Sequence, residues 1–153
     1  MDKARFLLYA ELRLYSWRVE QARRRITAWL QKVENPYVAF STGKDSTCVL
    51  HLVREQSPDI PAVYFDADCS FPESREMLEA TENLIVFPAL EPLLETFRRF
   101  GGFGNGLERE TMRTTVWEPI GRLVKKYDFD GVAYGLRAEE NRGRAMHAKY
   151  PGS

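Results

Sequence analysis

The sequence predicts an α/β protein: a doubly wound parallel sheet of about four to five strands behind a long N-terminal helix. Three observations predict it. Short, nearly continuous apolar runs alternate with helical periods, as in a parallel sheet covered on both faces. The first 33 residues hold no Gly or Pro. The most unusual residues follow the apolar runs, where ligand-binding loops of such sheets lie.

The N-terminal helix is expected to stop at Asn35-Pro36, because a residue before proline avoids helical geometry. Leu8, Leu12, Tyr15, Val19, Ala22, Ile26, Trp29 and Val33 recur in steps of three and four, forming a heptad seam. Such a seam packs either on the domain's own sheet or against a second copy, so residues 1–35 form a packing or dimerisation helix. Arg23, Arg24 and Arg25 read as charges on a solvated face. Residues 36–153 form the second unit.

In that unit strands are expected at 37–41, 62–66 (AVYFD), 84–88 (LIVFP) and 131–136 (GVAYGL). Helices are expected at 45–56, 72–83, 91–100 and 117–127. GGFGNG at 101–106 is too glycine-rich for regular structure. The tail beyond 136 lacks an apolar period and reads as loop.

Composition narrows the function. With 44% hydrophobic and 29% charged residues the chain is an ordinary globular one. Lys plus Arg and Asp plus Glu both total 22, so charge gives no indication of a nucleic-acid partner, and any basic site must be local. No apolar stretch reaches the ~18 residues of a membrane helix. Two cysteines, Cys48 and Cys69, cannot alone ligate an iron–sulfur cluster, and a reducing cytoplasm is the simplest setting. Cys48 is expected as a small apolar core residue, and His147 as a surface residue.

Residues 41–47, Ser-Thr-Gly-Lys-Asp-Ser-Thr, join a strand to a helix. Such a turn aims backbone N–H groups and the helix's positive end at one point, which suits an anion. Lys44 adds a charge, and Ser41, Ser46 and Thr47 add hydroxyls. A Walker A loop would need an earlier glycine and a hydroxyl residue where Asp45 stands, so this is another kind of loop.

The loop resembles the pyrophosphate (PP) loop of the ATP pyrophosphatases, most closely that of the phosphoadenosine phosphosulfate (PAPS) reductase family. The family pattern is Ser-Gly-Gly-Lys-Asp-Ser, and Thr42 stands at its first glycine. Two more segments fit: Phe65–Ser74 (FDADCSFPES), similar to an Asp-rich segment ending in Phe-Pro-Glu-Thr, and Gly135–Arg142 (GLRAEENR), similar to Gly-x-Arg-x-Glu-Glu-Ser-x-x-Arg. The resemblance spans roughly residues 37–144 and implies an adenine nucleotide alpha hydrolase-like, Rossmann-like fold.

It further implies ATP or PAPS as the nucleotide, contacted by Ser41, Thr42, Gly43, Lys44, Asp45, Ser46, Asp66 and Arg137. Lys44, Asp45 and Arg137 would be the catalytic groups, with Asp45 a ligand of Mg²⁺. Arg142 and Arg144 would grip a phosphate or sulfate on the substrate, or else belong to a solvated loop. Glu73 reads better as a favourable acid at a helix N-terminus.

Three activities stay open. One is cleavage of ATP between its α and β phosphates with adenylyl transfer. The second is PAPS or adenylylsulfate reduction, although the family's C-terminal Glu-Cys-Gly-x-His motif is absent from this sequence, leaving Cys69 as the plausible thiol. The third is a non-catalytic nucleotide-binding module that dimerises through the N-terminal helix. The chain is expected to be a minimal version of the domain or a piece of a longer one.

Overall fold

In a computed structural model the protein is described over residues 13–101 and 108–136. The order is α1 (Arg13–Leu30), β1 (Pro36–Ala39), α2 (Lys44–Arg54), β2 (Ala62–Asp66), α3 (Pro72–Glu79), β3 (Leu84–Pro88) and α4 (Leu93–Phe100). Next come α5 (Glu108–Met112), a π-helical turn (Arg113–Trp117), α6 (Glu118–Tyr127) and β4 (Gly131–Tyr134). The four strands form one sheet in the order β3-β2-β1-β4, and every pair is parallel.

Side-chain alternation splits the core between the two faces. On one face Val38, Phe40 and Ala62 pack with Leu50 and Val53 of α2, and Ile26, Trp29 and Leu30 of α1 close over them. On the other, Tyr37, Val63 and Phe87 pack with Leu123 of α6 and with Phe129. Helices on both faces make this the doubly wound α/β sheet that the sequence predicts. The fourth strand is shorter than expected, ending at Tyr134 rather than at 136.

The heptad seam faces the domain over the described part of α1. Val19, Ala22, Ile26, Trp29 and Val33 are all half-buried, while Tyr15 is exposed. Arg23 is not simply solvated. Its guanidinium donates to both carboxylate oxygens of Glu55 at the end of α2 (2.8 and 3.2 Å). That pairing raises the Arg23 pKa and lowers that of Glu55.

The segment 108–117, which shows no apolar period, is helical and runs into α6. The reason lies in its inward positions: Thr111 and Thr114 are buried, as is Thr96 of α4. Threonines on the inner face hide a helix from any reading based on apolar spacing.

The turns entering β1 and β4 are clasped together. The Asp130 carboxylate accepts the backbone N–H groups of Glu34 (2.7 Å) and Asn35 (2.9 Å). The Asn35 side-chain amide donates to the carbonyls of Tyr127 and Asp128 (2.8 and 3.0 Å). The N–H donors, that of Glu34 first, hold the Asp130 pKa below the usual carboxylate range against an opposing effect of desolvation. A carboxylate depressed in the folded state contributes stability above its unfolded pKa of about 4, and this is lost as pH falls through the folded value. Asp130→Asn is therefore expected to lower stability at neutral pH and to flatten the acid limb of a melting-temperature-against-pH curve.

Candidate nucleotide site

Strand order places the loop. β2 and β3 lie to one side of β1 and β4 to the other, so the chain reverses direction across the sheet between β1 and β4. Open α/β sheets bind ligands at such a switch point, beyond the carboxyl ends of the strands. The loop 41–43 leaves β1 there. The start of α2 carries no side-chain cap, so its positive end faces the loop.

The loop is built around one hydroxyl. Ser46 is buried, and its Oγ accepts the Ser41 N–H (3.2 Å) and donates to the Gly43 carbonyl (2.9 Å). Ser41 Oγ lies 3.1 Å from it; with the Ser46 proton engaged on Gly43, Ser41 is the donor there. Thr47 Oγ1 also donates to the Gly43 carbonyl (3.0 Å). Lys44 Nζ lies 2.8 and 2.9 Å from the Asp45 carboxylate oxygens, so the loop's cation and anion stand side by side at its mouth.

The left-handed residue of the loop is Thr42, with φ 60°, whereas Gly43 has φ −74°. A β-branched residue at positive φ is strained by about 1–2 kcal/mol. The hydroxyl offsets the strain: Thr42 Oγ1 lies 2.6 Å from the Ser41 carbonyl oxygen and 3.0 Å from Ser74 Oγ of α3, and its single proton is donated to one of them at a time. Thr42→Val keeps the strain and loses the hydroxyl, whereas Thr42→Gly loses both. Chemical denaturation is expected to find the valine variant less stable than the glycine one by about 1 kcal/mol.

Asp66 ends β2, the strand beside β1. Its carboxylate accepts the Asp68 N–H (2.8 Å), closing a turn in which Asp68 has φ 57°. Ser41, Ser46, Phe65, Tyr134, Gly135 and Leu136 border an open cleft of about 260 Å³ at this end of the sheet. A larger groove of about 570 Å³ runs between α1, α2 and β4; it shares Tyr134 and Leu136 with the cleft, and none of residues 41–47 lines it.

The structure thus brings together Ser41, Thr42, Gly43, Lys44, Asp45 and Ser46 in one turn, with Asp66 on the same rim. Arg137, Arg142 and Arg144 lie outside the described residues. Two supporting residues had no role assigned from sequence. Ser74 ties α3 to the loop. Gly135 packs directly on the backbone of α2: a Cβ there would lie 2.5 Å from Ser46 N and 2.6 Å from Asp45 C. The signal for both was present, since each falls within a quoted family-like segment. Cys48 is a correction: it is exposed, because it lies on the side of α2 turned away from the sheet, next to a groove shared with Val19 and His51. Cys69 is exposed as well.

Residues 35–150 match the phosphoadenosine phosphosulfate reductase domain. A phosphoadenosine 5'-phosphosulfate reductase of Pectobacterium carotovorum is 31% identical over 147 residues, covering 88% of this chain and 60% of the relative. A sulfate adenylyltransferase subunit 2 of Alkalilimnicola ehrlichii is 29% identical over 128 residues, covering 76% of this chain and 40% of the relative. The chain therefore spans about half the length of these relatives. A crystal structure of a PAPS reductase from Candida auris, a phosphate complex, overlays with a TM-score of 0.50 at 17% identity, covering 75% of this chain and 61% of that one; this likeness concerns the fold. The match over residues 35–150, most of the chain, places the protein in the phosphoadenosine phosphosulfate reductase domain family of the PP-loop superfamily.

Proposed function

We propose that the protein binds an adenine nucleotide, ATP or PAPS, through the loop 41–47, and that it cleaves ATP between the α and β phosphates with adenylyl transfer. One observation carries the reading: an uncapped helix N-terminus and Lys44 meet at the switch point of the sheet, at the mouth of a loop fastened from behind by Ser46. That arrangement binds phosphates and stabilises a leaving pyrophosphate by position and charge, which is what such a transfer asks of a protein.

In this reading the backbone at 43–46 and the Lys44 ammonium hold the leaving phosphates, and Arg137 supplies a second charge. Asp66 accepts a hydrogen bond from a ribose hydroxyl. Arg142 and Arg144 hold an anionic acceptor; the similarity to sulfate adenylyltransferase subunits favours sulfate. Among the described residues no group of three or more His, Cys, Asp or Glu could hold a metal. A Mg²⁺ bound with the nucleotide would be held by its phosphates and Asp45, as this ion commonly is, and would neutralise phosphate charge.

A second reading, reduction of PAPS or adenylylsulfate, is favoured by the reductase relatives and would use the exposed Cys69. As a third, the chain is a nucleotide-binding module that dimerises through residues 1–35, a role that the exposed Tyr15 and Trp17 of α1 support. Among the described residues no helix is long and apolar enough to cross a membrane, and a cytoplasmic setting is part of the proposal.

Pyrophosphate release from ATP, with and without sulfate, tests the first reading directly. Sulfate-stimulated release is expected. Thioredoxin-dependent sulfite formation from PAPS that disappears in Cys69→Ala, with no pyrophosphate release, would establish the second. Sedimentation with and without residues 1–30 tests self-association, and a monomer in both cases excludes it.

A further inference from the structure

At the β3 edge of the sheet, α6 carries three cations on one face. Arg122, Lys125 and Lys126 are spaced i, i+3, i+4, which makes them neighbours on the helix surface. All three are exposed, and among the described residues none pairs with a carboxylate. That sets them apart from Arg98, Arg99 and Arg113, each of which is paired with a glutamate.

Two of the cations are held in place by an aromatic ring. The Arg122 guanidinium carbon lies 5.4 Å and Lys126 Nζ 5.8 Å from the centroid of Phe87, a ring only 4% exposed. Lys126 Nζ also lies 5.0 Å from the Tyr127 ring. Cation–π contact orients such heads without neutralising them. With Pro88 and Lys125 they enclose an open groove of about 470 Å³. Its floor is apolar and its rim is positive.

We propose that this groove docks an acidic segment of a partner protein. Charge complementarity is the argument: unneutralised cations held around an apolar floor suit carboxylates whose aliphatic stems rest on Phe87 and Pro88. Cations about 5–6 Å apart on a helix match alternate carboxylates of an extended peptide, about 6–7 Å apart. A nucleic acid would call for a broader basic surface, and the chain's net charge is zero. The groove lies at β3, two strands from β1, and none of residues 41–47 lines it.

The test is fluorescence anisotropy of a labelled oligoglutamate peptide titrated with the full chain at low and high salt. Binding at low salt that weakens as salt is added is expected. The triple variant Arg122→Gln, Lys125→Gln, Lys126→Gln is expected to bind about tenfold more weakly or worse. Removing three cations elsewhere, at Arg18, Arg25 and Lys32, is expected to change binding less than about twofold. Lys125→Gln alone, which disturbs no ring contact, keeps the test valid if the triple variant melts early, and a loss of about twofold is expected. Wild-type affinity in the folded triple variant or in Lys125→Gln, absence of binding at low salt, or tighter binding of a labelled single-stranded oligonucleotide would each overturn the proposal.

Discussion

Gly135→Ala is expected to remove nucleotide binding and to destabilise the fold by about 3 kcal/mol. Across the sheet Tyr134 pairs with Ala39, so residue 135 arrives level with the start of the loop. A Cβ there would lie 2.5 Å from Ser46 N, 2.6 Å from Asp45 C and 2.8 Å from Asp45 O. These are backbone atoms of the first helical turn, so no rotamer change relieves the overlap; either β4 or the N-terminus of α2 must move. Both border the cleft, and the hub made by Ser46 moves with the helix. Gly131 offers a comparison, because its added Cβ would meet the Val33 side chain at 2.6 Å and Trp29 at 3.3 Å. Side chains can give way, so Gly131→Ala is expected to cost only about 1–2 kcal/mol. Urea unfolding of the two variants, with nucleotide titration of each, measures the contrast.

Lys44→Ala is expected to act in the opposite manner, sparing stability and weakening the nucleotide complex. Its ammonium is exposed and pairs with the neighbouring Asp45, and an exposed pair of this kind contributes at most about 1 kcal/mol. Against phosphate the same group makes a charge-assisted bond of about 1.5–3 kcal/mol, so its removal is expected to weaken binding by roughly 10- to 100-fold. Lys44→Arg is expected to recover part of the loss, since the charge returns on a different geometry. Equal melting temperatures with unequal affinities would separate a phosphate-binding role from a structural one.

How far the sequence discloses this molecule depends on what each residue has to do. β2 and β3 are read to the residue because AVYFD and LIVFP are apolar runs bounded by turn residues. The loop is legible because Ser, Gly, Lys, Asp and Ser stand together in a strand–turn–helix setting. Thr42 in the place of glycine foretells a strained position, and φ 60° is where the strain lies. Other features are decided by tertiary contact. The helix at 108–117 turns threonines inward, and apolar periodicity has nothing to register there. Cys48 falls on the outer side of α2, beyond the reach of a residue-type preference for burial. The role of Gly135 depends on a register between β1 and β4 that brings residues 89 positions apart in sequence, 46 and 135, into contact.

The central claim is that the turn after β1 is a phosphate-binding loop for an adenine nucleotide. Titration calorimetry of the wild-type chain and of Lys44→Ala with magnesium–ATP and with PAPS tests it most directly. One site of micromolar affinity is expected for at least one of the two nucleotides, weakened by roughly 10- to 100-fold in Lys44→Ala at unchanged folding. Binding weaker than millimolar to both nucleotides, or equal affinity in the folded variant, would contradict it.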